Sequence, residues 1–286
     1  MKSKTPILVD DSLLVRLDAR PTLRVYISEL TARKSFILAD AASKSFSTGR
    51  DMLLGRIWLI LDPLLQVLLY AFIFGVVIDT SRGIENFPGF LALGVIFFRN
   101  ATRGLNSGAN LVQRSRQLIS SFHFPRAAIV ISTTLKDAYD AIVPAVVAVL
   151  VALALQMEEP ITWHLLEVIP LFVLIQFFCL GCSFCVARLT ALIPDFKTPI
   201  TLFTRALFFL SGIFFTLDRW EGNAALSLAM ELNPIYQILH AVRSAVLDGA
   251  TVGLWNWIYI AGWSLGLTVI GLVYFWRAED RYANVK

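Results

Sequence analysis

The chain has 286 residues, 57% of them hydrophobic and 16% charged, with a formal net charge of +4 and a pI near 9.0. Soluble domains carry roughly 25% charged residues, so this composition excludes an ordinary water-soluble globule. Six apolar stretches near the roughly 20 residues that cross a bilayer assign the chain to the helical membrane class.

The expected fold is all-α. A cytoplasmic N-terminal segment (1–56) precedes a transmembrane domain of six helices (57–276) and a short cytoplasmic tail (277–286). In the first segment, Leu23, Tyr26, Ile27, Leu30, Ile37 and Leu38 recur at three- and four-residue steps, while Glu29, Arg33, Lys34 and Lys44 fill the other positions. That periodicity predicts an amphipathic helix lying in the headgroup plane. A solvated helix of a small domain is the weaker reading, since no second soluble element is present to pack on it. Charge scattered from Lys2 to Arg56 leaves no apolar core for a secretory signal, so no cleavage is expected.

The first span is placed at 57–78, where Asp62 and Pro63 stand side by side near its start. Pro63 lacks a backbone donor and clashes with the carbonyl four residues earlier, which predicts a bend near Leu59 to Pro63. The second span, at 89–106, is interrupted by Arg99 and Arg103. Such residues are tolerated where other helices or water cover them.

The segment 104–136 is the longest inner connection. Leu111, Val112, Leu118 and Ile119 predict a short helix carrying Arg114, Arg116 and Gln117, ended by Phe122, Phe124 and Pro125. Its mixed apolar and basic surface suits docking to another protein; the competing reading is an interfacial loop whose arginines meet lipid phosphate. The third span, at 138–157, leads to Glu158 and Glu159, an adjacent acidic pair read as a solvated loop rather than a catalytic dyad.

The fourth span, at 168–187, contains Cys179, Cys182 and Cys185 with no His or carboxylate beside them, which favours helix-interface packing over a thiolate metal site. The fifth, at 200–217, carries Arg205. Asp62 lies five residues past Ile57 and Arg205 five past Ile200, roughly 7.5 Å into each helix from the same side. Equal depth permits an ion pair tying the first span to the fifth; the alternative is that each snorkels separately to headgroups.

An outer segment of about 36 residues follows. Within it Asn233 reads as a helix N-cap, Pro234 as the first helical residue and Gly249 as a stop, predicting a re-entrant or interfacial helix. Trp255, Trp257 and Tyr259 open the sixth span, at 254–276, as interfacial anchors. With the N-terminus inside, 21 of the 25 Lys and Arg fall on the inner side, and only Arg82, Arg219 and Arg243 fall outside. Both termini are therefore expected in the cytoplasm. Inner-face charge beside an anionic leaflet also accounts for the high pI without nucleic acid.

No G-x-x-x-x-G-K-[ST] loop occurs, so no nucleotide site of that type is expected in this chain. His123, His164 and His240 do not cluster with acids at ligand spacing, and no metal is expected.

Three stretches in order, "LLGRIWLILDPLL", "NLVQRSRQLISSFHFPR" and "NPIYQILHAVRSAVLDG", resemble the permease subunit of ABC exporters for lipid-linked polysaccharides of the O-antigen, capsule and teichoic acid type. Asp62 stands where many relatives would carry Glu. The resemblance implies a homodimer of six-span subunits in the bacterial cytoplasmic membrane. Each subunit docks a separate soluble ATPase that holds ATP and magnesium, with no cofactor in the permease itself. It makes the stretch from Asn110 to Ser121 a coupling helix, with Phe124, Pro125 and Arg126 fixing where it rejoins the membrane. Arg33, Lys34, Arg50 and Arg56 are then placed to receive the pyrophosphate of a polyprenyl-linked glycan. Two other readings stay open: an ABC permease for a drug or simple lipid, and an integral membrane glycosyl or acyl transferase.

Overall fold

The computed structural model describes residues 21–47, 57–77, 84, 86–121, 124–156, 162–215 and 224–284. Arg50, Arg56, Glu158, Glu159 and His123 lie outside the described residues. Every described element is helical. In chain order these are α1 (Leu23–Ala32), α2 (Lys34–Ser47), α3 (Trp58–Tyr70), α4 (Phe87–Gly108), α5 (Leu111–Arg114), α6 (Arg116–Ser121), α7 (Ala127–Ala154), α8 (Val168–Leu192), α9 (Lys197–Leu210), α10 (Ala224–Glu231), α11 (Pro234–Val246) and α12 (Leu254–Trp276).

Three of the helical stretches, Ala127–Ala154, Trp163–Leu192 and Leu254–Trp276, are long and apolar enough to cross a membrane. The predicted sixth span matches α12 to the residue, whereas α7 begins at Ala127, well before the expected start at 138. Lys136, Asp137 and Asp140 masked that start in the hydropathy pattern, and all three are paired within the fold: Lys136 lies 2.7 Å from Asp140 and 3.7 Å from Asp137, which also has Arg103 at 3.9 Å.

α4 is the central helix. Residues 90–98 are buried without a break, because neighbouring helices rather than lipid cover them. This is why the stretch tolerates Asn100, Thr102 and Arg103. Its start is fixed by Asn86, whose side chain accepts from the Gly89 amide at 3.0 Å, with Pro88 in the first turn.

Close helix approach depends on small residues, as it does where lipid is as apolar as any side chain. A Cβ at Gly104 of α4 would collide with the Cys179 carbonyl of α8, and one at Gly271 of α12 would lie 2.7 Å from the Gly181 carbonyl. Cys179 and Cys182 are buried in this packing, and the Cys179 thiol donates to the Asn100 carbonyl at 2.9 Å.

α3 is continuous across Pro63, and the chain leaves α geometry only at Ala71–Val77, where it winds as a π-helix. Pro63 has no amide to offer the Leu59 carbonyl, and the helix continues past it. α9 has no buried residue at all, and in α3 only Val67 is buried among the described side chains. Both elements lie against α4 at the edge of the bundle.

Candidate functional site

At one end of the bundle the short helices α5 and α6 bridge α4 to α7. The bridge begins at Asn110, whose φ of 55° is the left-handed conformation that turns the chain out of α4. The Asn110 amide donates to Thr190 Oγ1 at 2.9 Å, and Gln113 donates to the Thr190 carbonyl at 2.5 Å, so the turn is pinned to the end of α8. Arg114 folds back: its guanidinium donates to the carbonyls of Ser107 and Ala109 at 2.9 and 2.7 Å, satisfying the open end of α4. Arg116 and Gln117, like Arg114, are exposed, and they lie on α6. Leu111, Val112 and Ile119 point inward to a second core.

That second core answers what the amphipathic N-terminal helix packs on. Tyr26, Leu30 and Ile37 are buried in it with Ala127, Phe275 and Tyr282, while Ile27 and Leu38 stay exposed. The helix is interrupted at Arg33 into α1 and α2, and its inward face covers protein. α2 is strapped along α7 by Asp40, which accepts from Ser132 at 2.7 Å, and by Ser45, which donates to Asp140 at 2.6 Å.

Between α1, the α6–α7 connection and the tail lies a buried polar junction. The Ala127 amide donates to the Tyr26 hydroxyl at 3.1 Å, and that hydroxyl donates to Glu279 Oε2 at 2.8 Å. The Arg126 amide donates to Glu279 Oε1 at 2.8 Å, and its guanidinium donates to the Glu279 carbonyl at 2.7 Å. Burial pushes the Glu279 carboxyl above its ordinary value, against the pull of the Arg126 amide and the Tyr26 hydroxyl. Burial and the adjacent Glu279 also raise the Tyr26 phenol, which stays a donor at any physiological pH.

Arg126 is thus a tie within this junction rather than part of a projecting surface. Pro125 is buried, and Phe124 meets the Phe36 ring at 5.9 Å between centroids, with the Arg33 guanidinium 6.0 Å over its face. Lys34 is exposed at the start of α2. Arg33 and Lys34 therefore share one end of the bundle with α6.

The expected pair of Asp62 with Arg205 does not form. Asp62 instead accepts from Arg99 of α4 at 2.5 Å and from Gln66 at 3.4 Å. Equal depth placed Asp62 and Arg205 at one level, but α3 and α9 each pack on α4, and the cation within reach of Asp62 belongs to that shared neighbour. Arg205 is exposed and has no partner among the described residues. Above these charges Tyr70, Phe98, Phe208 and Phe214 form an aromatic cluster, with Phe208 at 5.3 Å from both Phe98 and Phe214 and at 5.6 Å from Tyr70.

At the opposite end, α11 starts as its sequence predicts. Asn233 accepts from the Ile235 amide at 3.0 Å, Pro234 is the first helical residue, and Gly249 has a φ of 58°. Arg243, counted in the sequence as a solvent-side charge, is buried. Its guanidinium donates to the carbonyls of Phe90, Gly212 and Ile213 and lies 3.4 Å over the Phe90 ring. Residues 212 and 213 follow the end of α9, so one side chain ties α4, α9 and α11 together. Regular spacing in α11 could have flagged Arg243, which sits four positions past Leu239 and eight past Ile235 on the buried face. Nothing local in the sequence signals the Tyr26–Glu279 contact, which spans 253 residues.

Residues 37–247, most of the chain, match the ABC-2 type transporter family, and the protein belongs to that family of membrane subunits. It is 25% identical over 219 residues to the O-antigen export system permease protein RfbA of Myxococcus xanthus, covering 76% of this chain and 82% of that one. A Klebsiella pneumoniae protein of the same name is 25% identical over 244 residues, covering 82% and 89%.

Proposed function

We propose that this protein is the permease subunit of an ATP-driven ABC exporter that moves a polyprenyl pyrophosphate-linked polysaccharide of the O-antigen type across the bacterial cytoplasmic membrane. The observation that carries the reading is the family match over residues 37–247, joined to an α5–α6 bridge that shows Arg116 and Gln117 outward at one end of the bundle. A membrane subunit of this family draws its energy from a separate ATPase, which holds the ATP and magnesium. Two copies of the permease assemble, each with six spans and both termini in the cytoplasm, as the 21 inner Lys and Arg argue.

The geometry supports a way for force to enter. The ATPase pushes on α6, whose buried partners Leu111, Val112 and Ile119 pass the displacement into α4 and α7. α3 and α9 respond by moving, because they bury little and lie at the edge of the bundle. Their motion opens the aromatic cluster around Phe208 and widens a path for the glycan.

The test is a deletion strain. Loss of this permease leaves lipid-linked polysaccharide on the cytoplasmic face, and the restored, tagged protein brings down an ATPase whose inactivation has the same effect. A strain that exports normally without it rules the function out.

A further inference from the structure

α8 and α12 both cross the membrane and end on the inner side, and an arginine of the first meets a tyrosine of the second there. The Arg188 guanidinium lies 3.9 Å over the Tyr274 ring and donates to the Tyr274 carbonyl, so two contacts fix it. Arg188 is half-buried and forms no ion pair among the described residues. Arg277 is exposed and stands three residues past Tyr274, one turn further toward the inner end on the same side of the helix.

Back into the membrane, Trp263, Ile270 and Tyr274 recur along α12 at steps of seven and four, an open stripe whose members are 44%, 65% and 36% exposed. Because α12 runs toward the tail, this stripe passes from apolar to aromatic to cationic, the order in which a phospholipid passes from chain to ester to phosphate. Nearby acids do not cancel the charge. Glu279 is held by the Tyr26 hydroxyl and the Arg126 amide, which leaves Asp280, with Arg281 exposed next to it. α12 packs chiefly on α8, whereas α3 and α9, the helices given the glycan path, lie on α4. The stripe therefore belongs to a different side of the bundle from that path.

We propose that Arg188 and Arg277, together with the Tyr274 ring, bind the phosphate of a resident anionic phospholipid of the inner leaflet, whose acyl chain lies along Ile270 and Trp263. A guanidinium offers paired donors to phosphate oxygens. The Tyr274 carbonyl and ring already hold that of Arg188 in place, so little side-chain freedom is lost when the lipid arrives. Thr190, two residues further along α8, accepts from the Asn110 amide, and its carbonyl accepts from Gln113. A lipid held at Arg188 thus steadies the helix end to which the α5 turn is pinned. The assignment does not depend on what the protein exports.

The test uses the full-length protein in detergent and counts, by native mass spectrometry, the lipid retained from an equimolar mixture of dioleoylphosphatidylglycerol and dioleoylphosphatidylcholine. Wild type keeps the phosphatidylglycerol. R188A and R277A each weaken its retention about fivefold, the double variant weakens it further, and R188K preserves most of it. K197A, which removes an exposed inner charge at the start of α9, leaves retention unchanged. R277A spares the contact between α8 and α12, so the test stands even where R188A fails to fold. Equal retention of the two lipids by wild type overturns the site, as does retention that R188A and R277A leave unchanged. A loss in K197A as large as theirs also overturns it, since diffuse inner-face charge would then explain the binding. Geranylgeranyl diphosphate displacing the bound lipid at a lower concentration than phosphatidylglycerol does would keep the phosphate chemistry and overturn the assignment to a resident phospholipid.

Discussion

Glu279 shows how one side chain can hold three segments. It receives the Tyr26 hydroxyl from α1, the Arg126 amide from the start of α7, and it sits on the tail. Removing the acceptor strands buried donors, which typically costs 1–3 kcal/mol for each group. Glu279→Ala should therefore free α1, detected as faster trypsin cleavage at Arg24 in the detergent-solubilised protein. The junction also has a pH signature. Burial raises the folded carboxyl above its ordinary value of 4.5, so the folded state favours the protonated form. Its contribution is full below that ordinary value and is lost as pH rises through the folded one, by at most about 1.4 kcal/mol per pH unit. The thermal midpoint of wild type relative to Glu279→Gln should rise as pH is lowered; a constant difference would mean the carboxyl is not perturbed.

Glycines make a sharper contrast. Gly104→Ala drives a Cβ into the Cys179 carbonyl, whereas a Cβ at Gly262 meets nothing within 4 Å. The first substitution should lower the yield and midpoint of folded protein. The second should be neutral or stabilise by about 0.5–1 kcal/mol, the helix-interior advantage of Ala over Gly. Equal effects of the two would contradict the α4–α8 packing.

Among the elements, α5 and α6 divide their arginines by task. Arg114 folds back along the surface and completes the end of α4, while Arg116 and Gln117 stand exposed on α6. Arg116→Glu is expected to weaken ATPase co-purification severalfold with an unchanged thermal midpoint. Arg114→Ala should do the reverse, lowering the midpoint and reducing co-purification only as folded protein is lost. If both variants behave alike, the division is wrong. The same scale explains why α1 and α2 are two helices. Arg33 ends α1 with its amide bonded to the Glu29 and Leu30 carbonyls, and α2 then turns along α7 to reach Ser132 and Asp140.

For the whole molecule, the helices that bury least are those at the edge of the bundle. α9 shows Leu202, Phe203 and Phe209 on its open surface. α9 packs on its own chain mainly through α4 and the turn that precedes it, which leaves this surface available to a second copy in the proposed two-copy assembly. Leu202→Cys in a background with Cys179, Cys182 and Cys185 replaced should cross-link between copies in membranes under mild oxidation. A matching cysteine at Ala148, buried in the core, should not. No cross-link from any α9 position would remove α9 from the interface.

Much of this arrangement is legible in the residues alone. Apolar run length defines α8 and α12, and side-chain capping chemistry defines the starts of α4 and α11 through Asn86 and Asn233. The apolar positions Leu111, Val112, Leu118 and Ile119 predict one short helix after α4, and the structure has two, α5 and α6, parted at Ser115. These are local properties, carried by bonds between residues a few positions apart. What only the tertiary structure decided is which neighbour covers each face. Lipid and protein are equally apolar, so hydropathy cannot separate a residue facing one from a residue facing the other. Hence Arg99 rather than Arg205 takes Asp62, Arg243 disappears into the bundle, Tyr26 finds Glu279 across 253 positions, and α4, whose apolar run is interrupted by Arg99 and Arg103, becomes the centre.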